Sequence, residues 1–209
     1  MNTEEIVKEL RMFSTTELCD GMEEPRVLDP AIRRMVTEQK IVGPAFPVEV
    51  PEGASGIIPD ALLEIQPGQV LVIAGHGFCR GSYWGDYRSI CAAMCQVEGV
   101  VIDGAFRDRE GCREAGVPVF ARTSIPCAAG KALEVRLNVP VMLGEVPVRP
   151  GDFVVGDEDG VVIIPPEEAE AIMERARKKM ALEAAAIRKM RETGQVLPRA
   201  NLMQEKTEK

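Results

Sequence analysis

The chain has 209 residues, 45% of them apolar but only 4% aromatic, and a formal charge of −8. That length and apolar share suffice for one domain with a sizeable Val, Ile, Leu, Ala and Met core, whereas the acidic balance excludes a nucleic-acid surface, which needs clustered Lys and Arg. No apolar run approaches membrane-spanning length, and the acidic opening Met1–Glu5 lacks a basic-then-apolar signal, so the expectation is a soluble cytoplasmic protein with six reduced thiols.

In chain order, residues 3–12 read as a short helix with Ile6, Leu10 and Met12 near one face and Thr3 as its N-cap. Ser14 and Glu17 have capping-box spacing, which starts a second helix that Gly21 ends. The segment Ile41–Val50 is strand material interrupted by Pro44 and Pro47, which favours edges or bulges. Residues 58–65 suit a short helix. Val70–Ala74 is a wholly apolar strand that runs into the glycine-rich segment Gly75–Gly81, read as a loop. Strand, glycines and helix outline an anion-binding loop, but the spacing matches neither the P-loop nor the dinucleotide fingerprint.

Ser89–Gln96 is predicted as a crossover helix rich in Ala and Cys, and Gly99–Ile102 as a strand buried on both faces. Arg107 and Asp108 follow that strand directly. Residues 109–115 suit a helix closed by Gly116, and 117–121 a strand. Short strands and turns fill 134–164, with turns at Arg149–Asp152 and Asp157–Gly160. Pro166 suits a helix N1 position, with Glu167 and Glu168 in the first turn. Ala169, Met173, Ala176, Met180, Ala184, Ile187 and Met190 then mark a long amphipathic helix to about Arg191, closed by Gly194. A helix of roughly 40 Å outruns a small domain, so its stripe is expected to pack partly on another subunit. The domain reading is one unit over 1–209, with N-terminal helices at about 3–24, a core at about 38–165, the C-terminal helix at about 166–193 and a tail at 194–209.

Asp86, Arg107 and Asp108 are the leading candidates for chemistry. Asp86 precedes Arg107 by twenty-one positions, at the far end of the crossover helix, and a strand–helix–strand crossover brings both to one sheet edge. Arg107 can clamp a small carboxylate with its planar fork. Asp108 is a hard oxygen ligand suited to Mg²⁺, and Asp86 can orient or deprotonate a bound water. The competing reading is a structural ion network at a helix start. His76, the one histidine, is a general base or a loop hydrogen-bonder. Cys91 and Cys95, four apart on a helix, read as buried small residues because no second pair at zinc spacing accompanies them. Asp157–Gly160 resembles part of a calcium loop but lacks its length and terminal Glu, so a hairpin turn is expected.

Trp84-Gly85-Asp86, the run Gly99–Asp108, Gly116–Arg122, Arg149–Asp152 and Asp157–Val161 resemble the RraA-like family over about residues 14–170. The family includes 4-hydroxy-4-methyl-2-oxoglutarate aldolases, oxaloacetate decarboxylases and the regulator of ribonuclease E activity. The resemblance implies a swivelling β/β/α-type α/β domain, phosphohistidine-domain-like, with a central sheet flanked by helices and a long C-terminal helix. It implies homotrimers or homohexamers with sites at subunit interfaces, and a small 2-oxo acid as substrate. Arg107 would bind the pyruvyl carboxylate or enolate, Asp108 would bind Mg²⁺ (or Mn²⁺ or another divalent cation), and Asp86 would hold a catalytic water. Backbone amides after Gly85, those of Tyr87 and Arg88, would hold the substrate carboxylate. Aldolase members carry an acidic residue three positions after the Arg-Asp pair, where this chain has Gly111, with Glu110 one position early. They also carry aliphatic residues where Tyr87 and Arg88 stand. The implied activity is metal-dependent retro-aldol cleavage or decarboxylation through pyruvate enolate, and the alternative is a non-catalytic regulator that binds a partner such as a ribonuclease.

Overall fold

The computed structural model describes residues 1–56, 58–131 and 135–196. Its elements are α1 (Thr3–Leu10), α2 (Thr15–Gly21), β1 (Arg33–Val36), β2 (Ile41–Glu49), α3 (Ile58–Glu64), β3 (Val70–Trp84), α4 (Asp86–Met94), β4 (Gly99–Phe106), α5 (Arg109–Ala115), β5 (Val119–Ser124), β6 (Arg136–Leu137), β7 (Val141–Leu143), β8 (Val146–Val148), β9 (Phe153–Asp157), β10 (Gly160–Ile164) and α6 (Pro166–Thr193). Among the described residues, eight strands form one mixed sheet in the order β1-β5-β4-β3-β2-β9-β10, with β6 also paired to β2. β2, β3, β4 and β5 run parallel, joined by crossovers through α3, α4 and α5, while β9, β10, β1 and β6 pair antiparallel. This is the α/β architecture expected, a central sheet with flanking helices and a long C-terminal helix.

The apolar runs are explained by coverage of both faces. Leu71, Ile73, Val100 and Ile102 face α3, α4 and α5 in one core, and Val70, Val72 and Val101 face the β7–β8 hairpin with Leu28 and Ile32 in another. A third core packs α1, α2 and the first half of α6 on Val155, Val162 and Ile164. In α6 the buried positions are Ala169, Ile172, Met173, Ala176 and Ala186, while Leu182 and Ile187 are exposed in its distal half. Arg26 donates to both carboxylate oxygens of Glu168 at 2.9 and 2.8 Å, fastening the start of α6.

Four local expectations change. Asn2, not Thr3, caps α1, through a reciprocal box with Glu5. β2 is one continuous inner strand despite its prolines. Pro44 ends the stretch paired with β9, and Pro47 falls between that stretch and the one paired with β6, so each proline sits where the neighbour changes. Gly75–Gly81 is not a loop before a helix but the bulged middle of the fifteen-residue β3, with His76 and Gly77 at φ 54° and 72°. Gly75 and Gly104 give way there to the buried Tyr83 ring, which a Cβ at either would approach to 2.6 or 2.8 Å. The crossover helix α4 starts at Asp86, three residues before Ser89. The tail beyond residue 196 lies outside the described residues.

The buried Asp157 accepts hydrogen bonds from Thr15 N at 2.8 Å, Thr15 Oγ1 at 2.6 Å and Asp159 N at 3.1 Å, tying the start of α2 to the β9–β10 turn. This is a hairpin turn, as expected. Asp157→Ala leaves the Thr15 donors buried without an acceptor, so urea unfolding is expected to show a loss of about 1–3 kcal/mol.

Candidate active site

β3 ends at Trp84 and β4 at Phe106, side by side, and Arg107 N donates to Trp84 O at 3.0 Å across the two ends. Ligands of parallel sheets gather at these carboxyl edges, where strands give way to helix N-termini. Gly85 turns the chain into α4, whose first residue is Asp86. Asp108 turns it into α5 in the left-handed region, at φ 57° and ψ 48°. That conformation costs a non-glycine residue about 1 kcal/mol, and the Asp108 carboxylate makes no cap hydrogen bond in return. It turns instead towards Arg107, whose Nε lies 3.1 Å from Asp108 Oδ2.

Asp86, Arg88, Arg107 and Asp108 line one open cleft of about 160 Å³, with Ser55, Ser82 and Trp84 among its other walls. The three residues singled out for chemistry therefore converge. Asp86 packs on Gly111, where a Cβ would come within 2.6 Å of the Asp86 Cβ. Asp86 Oδ1 accepts the Tyr87 amide at 2.6 Å, so of the two amides expected to hold a substrate carboxylate, Tyr87's is engaged by this side chain. Arg88's amide lies in the first turn of α4, where no helical carbonyl precedes it. Tyr87 lies at the rim of the cleft and is 72% exposed, continuous with the exposed Ile90 and Met94 on α4.

The Arg88 guanidinium enters the cleft, donating from Nη1 to Tyr83 O and from Nη2 to Ser55 Oγ at 3.5 Å. Burial, and then the Arg107 charge, pull its pKa below the usual arginine value. Trp84 is held by its Nε1–H on Ser89 Oγ at 2.8 Å. Cys112 lies beneath, its Sγ 3.4 Å from Arg107 O, and burial raises its pKa, leaving an inert thiol.

His76 is elsewhere. Its Nε2 is 2.6 Å from Glu49 Oε1, in a separate cleft with Val50, Pro51 and Arg136. Cys91 and Cys95 pack on the core as half-buried free thiols. Ser55, Ser82 and Ala128 are wall residues that sequence reasoning missed. Ser82 meets Ala128 only through pairing of β3 with the segment at 127–129, a long-range contact that no local pattern announces.

Among the described residues, no three His, Cys, Asp or Glu side chains gather as a metal cage. A divalent ion at this cleft would draw on one or two carboxylates, which is the donor number Mg²⁺ accepts while keeping its waters. Asp108, free of capping duty and open to the cleft, fits that role. Among the described residues no helix is long and apolar enough to cross a membrane.

The fold and cleft define an α/β domain with two carboxylates and two guanidinium groups at the carboxyl ends of parallel strands. The chain belongs to the RraA-like family (Aldolase/RraA), which it matches over residues 15–163. A Halalkalibacterium halodurans protein, provisionally named 4-hydroxy-4-methyl-2-oxoglutarate aldolase, is 34% identical over 181 residues, 87% of this chain and 86% of that protein. A Streptomyces coelicolor structure, described as an unusual member of the RNase ES inhibitor RraA protein family, is 29% identical, with TM-score 0.76 over 86% of this chain and 94% of that one. An uncharacterised Pseudomonas syringae protein shares the fold, with TM-score 0.77 over 92% of this chain and 94% of that one, at 24% identity.

Proposed function

We propose that the protein is a divalent-metal-dependent carbon–carbon lyase acting on a small 2-oxo acid, by retro-aldol cleavage of a 4-hydroxy-2-oxo acid, decarboxylation of oxaloacetate, or both. The observation that carries this reading is the meeting of Asp86, Arg107 and Asp108 in one cleft although Asp86 is distant in the chain. The provisional aldolase name of a relative at 34% identity supports it.

Both reactions break the C3–C4 bond and leave its electron pair on the pyruvyl fragment as an enolate. In the retro-aldol case the 4-hydroxyl proton leaves as a carbonyl product forms. In the decarboxylation the departing fragment is CO₂. Arg107 would hold the pyruvyl carboxylate and face the enolate oxygen, where its fixed charge stabilises the negative charge as it develops. Asp86 would hold a water that accepts the hydroxyl proton, and a proton returned to C3 completes pyruvate. Mg²⁺ or Mn²⁺ held by Asp108, directly or through water, would supply Lewis acidity at the 2-oxo oxygen. The exposed Tyr87, Ile90 and Met94 on α4 support association with further copies, for which a homotrimer or homohexamer in the cytoplasm is the proposed assembly and location.

The test is pyruvate release from oxaloacetate and from 4-hydroxy-4-methyl-2-oxoglutarate. Release is expected with Mg²⁺ and should fall to background in EDTA, return on adding Mg²⁺, and be lost in Asp108→Ala. Absence of metal-dependent release from both substrates would remove the lyase reading. The second reading, a regulator that binds a ribonuclease, is favoured by the Streptomyces coelicolor relative. It predicts partner binding that Asp108→Ala leaves intact.

A further inference from the structure

Among the described residues the cleft holds two cations, and only one has an anionic partner there. Arg107 lies against Asp108, with Nε to Oδ2 at 3.1 Å. Arg88 is held by uncharged acceptors alone, Tyr83 O and the distant Ser55 Oγ, and meets no carboxylate among the described residues. Two of its five N–H donors are used in this way. It is also partly buried, and its charge is opposed by Arg107. Burying a cation without a counter-charge is unfavourable, and removing one partner of a buried pair is strongly so. An arginine that merely tied α4 to its neighbours would gain nothing from keeping this charge beside another. The arrangement instead suits a ligand that brings its own negative charge, because a guanidinium fork matches a carboxylate bidentately.

We propose that Arg88 is the specificity-determining residue of this cleft, binding the distal carboxylate of a dianionic 2-oxo acid while Arg107 holds the 2-oxo end. The proposal rests on the lyase reading for the 2-oxo end but not for the charge it assigns to the ligand. It selects 2-oxo dicarboxylates over monocarboxylates of equal length, and it makes Arg88 a contributor to KM more than to kcat.

The test compares binding of 2-oxoglutarate and 2-oxopentanoate, which share a five-carbon chain and differ in the terminal carboxylate. Neither carries a 4-hydroxyl, so neither can undergo the retro-aldol step. Affinities are read by calorimetry in Mg²⁺ buffer, and independently from the fluorescence of Trp84, the single tryptophan and a cleft wall. The wild-type protein is expected to prefer 2-oxoglutarate by at least about tenfold, the scale of one charge-assisted hydrogen-bonded pair. Arg88→Leu should bring the ratio to near one by weakening 2-oxoglutarate alone, and Arg88→Lys should keep part of the preference. Equal affinities in the wild type, or equal weakening of both ligands in Arg88→Leu, would overturn the proposal and make Arg88 a structural tie. The wild-type comparison needs no variant to fold. A preference that collapses in Arg88→Leu without turnover of any 2-oxo acid would uphold this inference and sink the lyase reading. Turnover together with a preference that survives Arg88→Leu would do the reverse.

Discussion

Arg107→Ala is expected to lower kcat/KM for pyruvate release by about 10²–10³-fold, the range seen when one fixed donor to a developing oxyanion is removed. The side chain is placed for this by backbone geometry. Its amide is tied to Trp84 O at 3.0 Å, its Nε lies 3.1 Å from Asp108 Oδ2, and among the described residues its remaining donors have no partner and line the cleft. Lysine at this position keeps the charge but loses the planar fork, so Arg107→Lys should recover only a small part of the rate. The side chain is 43% exposed, and a surface truncation of this kind changes stability by no more than about 0.5 kcal/mol. Steady-state rates with a urea melt on the same samples separate the two effects. A variant that retained more than about a tenth of the wild-type rate would place the stabilising charge on another group.

How much of this was legible in the sequence follows from how local each signal is. The run Gly99–Phe106 is buried on both faces because every residue in it is apolar or small except Asp103. Its identity as a central strand, and the delivery of Arg107 and Asp108 at its end, therefore needed no tertiary information. Asp103 is accommodated by Arg122 Nε at 2.5 Å, a partner from the adjacent strand. The caps of α2, α5 and α6 were legible for the same reason, as each is decided within a few residues. Gly75–Gly81 misleads because glycines commonly mark loops, whereas here each serves the bulged strand differently: Gly75 makes room for Tyr83, whose hydroxyl donates to Gly75 O at 3.1 Å and accepts from Gly53 N at 2.8 Å, Gly77 takes a left-handed turn at φ 72°, and Gly81 lies against the Ala128–Ala129 backbone. Pro44 and Pro47 misled because the exchange of partners along β2 is a property of the sheet and not of the strand. Gly111 departs from the aldolase pattern, and its physical meaning comes only with the fold: it is the surface on which Asp86 rests. Arg88 has a position in the sequence, but the absence of a carboxylate beside it among the described residues is a fact about three separate segments.

Gly85→Ala is expected to cost about 10²-fold in kcat/KM while leaving the fold nearly as stable as before. Gly85 sits at φ −165° and ψ −172°, an extended backbone that alanine adopts without strain. The difficulty is what its side chain would meet. A Cβ there would lie 2.6 Å from Asp108 Oδ2, 3.3 Å from Arg107 Cγ and 3.5 Å from Arg107 Nε. The atoms that must yield are side-chain atoms of Asp108 and Arg107, two of the three residues assigned the chemistry, at the mouth of an open cleft. They can move aside at little cost to stability, and a displacement near 1 Å is enough to lose about 10²-fold in rate. Gly21→Ala is the control of opposite sign. Its Cβ would collide with the Ile172 carbonyl oxygen, where α2 crosses α6 in backbone contact. It should therefore lose about 1–3 kcal/mol of stability through overpacking, with unchanged turnover per folded molecule. Measured together, kcat/KM, apparent Mg²⁺ affinity and urea midpoint give one variant with lost rate and intact stability, and another with the reverse. Wild-type rate and Mg²⁺ affinity in Gly85→Ala would mean that Asp108 and Arg107 can be pushed aside without consequence, and the chemistry would then have to be sought away from the carboxyl ends of β3 and β4.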